Sequence, residues 1–176
     1  MTDGPKRIPP IDLQHLAAEQ QEVAERIAGT RGGRVPGPFT ALLHVPKLAD
    51  HVQGLGAYLR FEGDLDRGLA ETAILVVAKR WESAYVWNAH EPIARRAGVT
   101  DAVIGAVAGD QSPEPMSGRD RLVCDFAREL TSSGRVRDEL YAAVAEDLGL
   151  GRTIELTVLI GYYSLIAMTL NALGWE

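Results

Sequence analysis

The sequence predicts an all-α protein, a helical bundle of about eight helices, and three observations lead there. Apolar residues recur at three- and four-residue steps along nearly the whole chain, no stretch alternates apolar and polar residues between hairpin turns, and most of the periodic segments stop at a glycine. With 176 residues, 46% of them hydrophobic, the chain can bury a real core within one domain. The expected organisation is an N-terminal helix and Gly/Pro-rich connector over residues 1–37, followed by a helical domain over residues 38–176.

Taken in order, Asp12 reads as the N-cap of a first helix, LQHLAAEQQEVAERIA, stopped by Gly29. GTRGGRVPGP, residues 29–38, must be a loop; it lacks the GK[ST] ending of a phosphate cradle and no strand precedes it. Phe39 to His44 can form a short helix, and Pro46 suits the first turn of the next, KLADHVQGLGAYLRFEG, where an amide would be unpaired anyway. Asp64 or Asp66 opens a helix through LAETAILVVAKRW, and Ser83 is placed to cap the one that runs to Ala97. Thr100 caps DAVIGAVAG, and QSPEPMSG is a second loop. The helices GRDRLVCDFARELTSSG and VRDELYAAVAEDLG follow, and RTIELTVLIGYYSLIAMTLNALG ends the chain as a core helix or an oligomer contact.

Composition removes several function classes. No uninterrupted apolar stretch reads as long enough for a bilayer, and MTDGPKRIPPIDL lacks the layout of a secretory signal, so a cytoplasmic protein without a membrane partner is expected. A net charge of -6 with scattered Lys and Arg gives no footprint for nucleic acid. Cys124 is the one cysteine, which rules out a disulfide or CxxC couple within the chain; its helix-spaced setting in RLVCDFAREL reads as core filling.

The stretch ETAILVVAKRWESAYVWNAHEPIARRAGV, residues 71–99, carries the chemistry. On the helix from Ser83, the three-and-four rule stacks Val86, Trp87, His90, Ile93 and Ala94 on one face, with Glu91, Arg95 and Arg96 opposite. Pro92 cannot bond the carbonyl of Asn88, which leaves one acceptor free a turn earlier, expected to lie beside His90. Glu71 shares its face with Ile74, Leu75 and Ala78, so its carboxylate is expected to turn inward. Buried carboxylates need partners, and a histidine on the next helix would be one. Such a pair could hold the imidazole in one tautomer for proton transfer, or serve as a purely structural hydrogen bond.

The glutamate, eighteen residues, then the histidine, set in ETAILVVA (71–78) and YVWNAHEPIARRAGV (85–99), resembles the carboxymuconolactone decarboxylase and alkylhydroperoxidase D-like superfamily. LLHVPKLADHVQGLGAYLRFEGDL and ELTVLIGYYSLIAMTLNALG look like the flanking helices of its cysteine-less branch, so the likeness leaves out mainly the first thirty-odd residues. In the peroxidase members a CxxC precedes the histidine; here Ser83 and Val86 stand in the two cysteine places, and Glu71 and His90 in those of the proton relay. Serine and valine form no disulfide, so thiol peroxidase activity is not expected. What the resemblance implies instead is a cofactor-independent lyase without a metal, of the kind that removes carbon dioxide from γ-carboxymuconolactone. Glu71 and His90 would be catalytic, with Ser83, Tyr85 and Trp87 as substrate-binding candidates. It also implies a small-molecule substrate and a homotrimer or homohexamer.

Two other chemistries fail on geometry or spacing. Seven helical residues put Ser83 roughly 10 Å from His90 along the axis, too far for a nucleophile and its base, and no G-x-S-x-G elbow exists. HEPIA begins like a zincin motif, but Ala94 stands in the second-histidine place; His15, His44 and His51 read as surface or helix-end residues. The non-enzymatic alternative is a helical oligomer that binds a small ligand without turning it over.

Overall fold

A computed structural model describes residues 7–109 and 118–175. Among these there are nine α-helices, one π-helical turn and no strand, against about eight helices expected. By internal contacts the chain divides into two compact units, one comprising the residues up to Glu62 with those from Thr169 onward, the other Gly63–Met168. The predicted loop QSPEPMSG falls almost wholly outside the described residues.

In the first unit, α1 (Ala18–Gly29) packs on α3 (Pro46–Ala57), as does the short α2 (Gly37–Leu42). The first helix starts later than Asp12 suggested. The Asp12 carboxylate accepts the Gln14 amide at 2.9 Å and meets His15 Nδ1 at 2.7 Å, closing a local turn, while the Gln20 side chain accepts the Ala17 amide at 3.0 Å where the helix begins. α1 buries Val23, Ala24 and Ile27, and its outer edge is tied to α3 by the fork of Arg26 on Asp50 at 3.0 and 3.2 Å. The loop to α2 turns through Gly32 and Gly33 at φ 66° and 78°, values that a side chain resists. Pro46 occupies the first turn of α3 as expected, but the single helix predicted there changes pitch, ending in the π-helical turn Tyr58–Glu62.

The second unit is built around α4 (Arg67–Arg80). Every residue from Leu69 to Ala78 is buried, so this helix has no solvent side along its middle. It packs against α5 (Ala84–Arg96), α6 (Asp101–Ala108) and α7 (Gly118–Ser133), and α7 packs on α8 (Asp138–Leu148). Asp66 is the N-cap of α4, accepting the Leu69 amide at 3.0 Å, and Thr100 caps α6 through the Val103 amide at 3.3 Å.

The last helix, α9, runs over Leu150–Leu173. At 24 residues it is long and apolar enough to cross a membrane by length and composition, where the sequence reading put it short of that. Of its most apolar window 44% is buried inside the protein, and Ile154, Val158, Leu165 and Met168 are exposed. Glu155, which looks like an interruption, accepts the Asp64 and Leu65 amides at 3.0 and 2.9 Å and so fixes the approach to α4.

Candidate active site

The site begins with a carboxylate that has nowhere to go. Glu71 lies in the second turn of α4, inside the fully buried run, and is 0% exposed. The next helix supplies what it needs: the buried side of α5 is Val86, His90 and Ala94, one turn apart each, which brings His90 Nδ1 to 2.7 Å from Glu71 Oε2. The other oxygen, Oε1, lies 2.6 Å from Arg67 Nη2, one turn earlier on α4. Oε2 thus has a hydrogen-bond partner, whereas Oε1 has a close ion-pair contact with Arg67 that does not meet hydrogen-bond geometry. A carboxylate only accepts, so the geometry assigns the Nδ1 proton of His90 to the bond with Glu71 and leaves Nε2 as the unprotonated nitrogen of the neutral ring.

Burial is graded along this chain of groups. Glu71 is sealed, His90 keeps 8% of its surface, and the Arg67 side chain is 35% exposed. Tyr163 of α9 stands edge-on to the imidazole, with ring centroids 4.9 Å apart at 84°, and Tyr162 packs on Tyr163 in the same way at 5.2 Å. The pair limits the rotation of the ring about the bond that Glu71 fixes.

The turn between α4 and α5 is itself held. The Ser83 amide bonds Ala78 O at 2.9 Å, Glu82 adopts a left-handed φ of 51°, and the Trp81 indole donates to Ser164 Oγ of α9 at 3.0 Å. These contacts set the angle at which α5 leaves α4, and so the register of His90 against Glu71.

Among solved structures the chain is similar to a protein from Ralstonia eutropha JMP134 described as an alkylhydroperoxidase AhpD core and an uncharacterized peroxidase-related protein. The match has a TM-score of 0.80 over 98% of this chain and 92% of that one, at 20% identity. This is the AhpD-core fold. No family model matches the chain, and no curated protein does so either. At such identity the AhpD-core likeness speaks for architecture and leaves the reaction to the side chains.

Within the AhpD-core frame, Glu71 and His90 meet, as the sequence suggested. Ser83 sits at the N-cap position of α5 but makes no capping bond with its hydroxyl; it is buried, two turns before His90 on the same face. Trp87 is half-buried beside that face, whereas Tyr85, also half-buried, lies about 140° around the helix from His90. The carbonyl freed by Pro92 does not adjoin His90 as expected: Asn88 and Pro92 are both exposed, two residues away on either side and so on the opposite face of α5. Arg67 and Tyr163 went unnoticed in the sequence. The first has a legible signal, the four-residue step to Glu71; the second comes from a distant helix and has none.

His15, His44 and His51 are exposed, the first paired with Asp12 and the second bonded to Pro9 O at 3.0 Å. Among the described residues no group of three or more His, Cys, Asp or Glu side chains is arranged to hold a metal ion. Cys124 is buried in α7, and burial pushes its thiol up to about 12.

Proposed function

We propose that this chain is a cofactor-independent carboxy-lyase for a small carboxylated lactone or a related β-keto or vinylogous acid, working through a Glu71–His90 proton relay. The observation that carries this reading is the sealed carboxylate 2.7 Å from the Nδ1 of a histidine that still touches solvent. Glu71 orients the ring and balances its charge when protonated; His90 Nε2 is the group that meets the substrate. In the reaction the carbon–carbon bond to the carboxylate breaks, its electron pair passes into the conjugated carbonyl, and carbon dioxide leaves. Nε2, unprotonated in the resting tautomer, first takes a proton from water; the carbon then takes that proton from the imidazolium, and the ring returns to its neutral form with the remaining proton on Nδ1. The similar protein from Ralstonia eutropha is described as peroxidase-related. For this chain a peroxidatic thiol is disfavoured, because its one cysteine is buried with its thiol held protonated.

The decisive experiment measures carbon dioxide release from a panel of carboxylated lactones and vinylogous acids, with hydroperoxide turnover beside it as the expected negative. His90→Gln and Glu71→Gln should each lower turnover by about 100-fold or more, with the helical circular dichroism retained. Unchanged turnover in His90→Gln would remove the relay from the reaction.

A second reading rests on a different surface. α9 exposes Ile154, Val158, Leu165 and Met168 at helical spacing, with uncharged Gly161 between them. This seam suits association with copies of the same chain as a homotrimer or homohexamer. A helical oligomer that holds a small ligand without turnover would show the seam equally and would differ by releasing no carbon dioxide. Sedimentation equilibrium should find an oligomer that Leu165→Glu dissociates; a monomeric wild type at micromolar concentration would dismiss the seam.

A further inference from the structure

Away from the relay, the end of α4, the end of α6 and the second half of α7 enclose a cleft of about 500 Å3. Its floor is apolar, formed by the buried Val76 and Val107. Its rim is cationic: Lys79, Arg80 and Arg128 line it against one carboxylate, Glu82, in a chain whose net charge is -6. The α4 dipole accounts for cations in that helix's last turn, where Lys79 and Arg80 stand. Arg128 comes from another helix and lies outside its last turn. Two hydroxyls complete the wall, but both are spent on their own helix, Thr131 donating to Ala127 O at 2.7 Å and Ser132 to Glu129 O at 3.1 Å. The side-chain donors that line the hollow are therefore the three cations, of which the Arg80 guanidinium also lies over the Trp81 ring, 5.4 Å from its centroid. The rim also holds Glu82, whose left-handed backbone is unusual for a residue with a side chain.

We propose that this cleft is a binding site for a small organic anion with an apolar body, such as an aryl or branched-alkyl carboxylate. The carboxylate sits among Lys79, Arg80 and Arg128, and the apolar part lies on Val76 and Val107. A volume of this size suits a small molecule, and the pairing of a greasy floor with a few convergent charges is what fixes one in place. The site is separate from the relay, since Val76 and Arg80 lie about 140° and 180° around α4 from Glu71. Glu82 opposes the ligand's charge and sets a ceiling on affinity.

Benzoate titrated into the full-length protein tests this, followed by backbone amide NMR shifts and calorimetry. Saturable shifts should centre on residues 76, 79–82, 107 and 128–132. Lys79→Gln, an exposed position where folding is not at stake, should weaken binding about fivefold, and Arg128→Gln should act in the same direction. Glu82→Gln should tighten it, and His90→Gln should leave it unchanged, which separates this site from the proposed reaction. The proposal is overturned if benzoate produces no saturable shifts at tens of millimolar, if Lys79→Gln binds as well as wild type, or if benzyl alcohol binds as tightly. Inorganic phosphate competing as well as benzoate would also overturn it, by showing that the apolar floor plays no part.

Discussion

Replacing Glu71 by glutamine keeps the shape of the side chain and removes its charge, which isolates what the carboxylate does. The bond to His90 Nδ1 at 2.7 Å is charge-assisted and fully buried, and such bonds contribute roughly 1.5–3 kcal/mol against 0.5–1.5 for a neutral pair. The contact with Arg67 at 2.6 Å adds less than its length suggests, because that side chain is 35% exposed and water replaces part of what it loses. The expected cost of Glu71→Gln is therefore about 1–2 kcal/mol. Glu71→Ala also empties a buried volume and leaves His90 and Arg67 without their shared partner, for about 3–5 kcal/mol. In a chain of this length the glutamine variant should melt roughly 2–8 °C lower. Urea denaturation gives the free energies, and nitrogen NMR of the imidazole reports the tautomer, fixed with its proton on Nδ1 in the wild type and mixed in the variant. If both variants lay within about 0.5 kcal/mol of wild type, as neutral surface substitutions do, the carboxylate would not be the anchor of the histidine.

Cys124 gives a signed pH dependence. Its thiol is pushed from 9.0 up to about 12, so above pH 9 the unfolded chain loses a proton that the folded chain keeps, and stability falls as pH rises through that window. Cys124→Ala should flatten that limb of the unfolding curve, and Ellman's reagent should leave the native thiol unlabelled at pH 8. Glu82→Gly should raise stability by about 1 kcal/mol in urea unfolding, because glycine adopts a φ of 51° without crowding. Glu155→Gln weakens the two charge-assisted bonds to the Asp64 and Leu65 amides and should cost about 1–2 kcal/mol, with faster deuterium exchange at those two positions. Unchanged exchange there would show that another group holds the turn.

Much of this was legible beforehand for physical reasons. The apolar steps of α5 determine which side turns inward, so His90 could be placed from periodicity alone, and Asp66, Pro46 and Thr100 mark helix starts through chemistry that acts within four residues. The AhpD-like motif around Glu71 and His90 gave the fold. Asp12 misled because its carboxylate closes a turn with the same bond that would begin a helix, and sequence does not say which amide it takes. Tyr163 and the cleft between α4 and α7 were invisible because they depend on how helices far apart in sequence come together.

α4 has one more bearing on how the protein works. With no wet side from Leu69 to Ala78, its amides should be the slowest in the chain to take up deuterium, exchanging only when the surrounding unit comes apart. Glu71 thus sits on a helix that is buried along this whole stretch. α5, by contrast, has an outward flank that includes the exposed Asn88 and Pro92, so its amides should exchange sooner than those of α4.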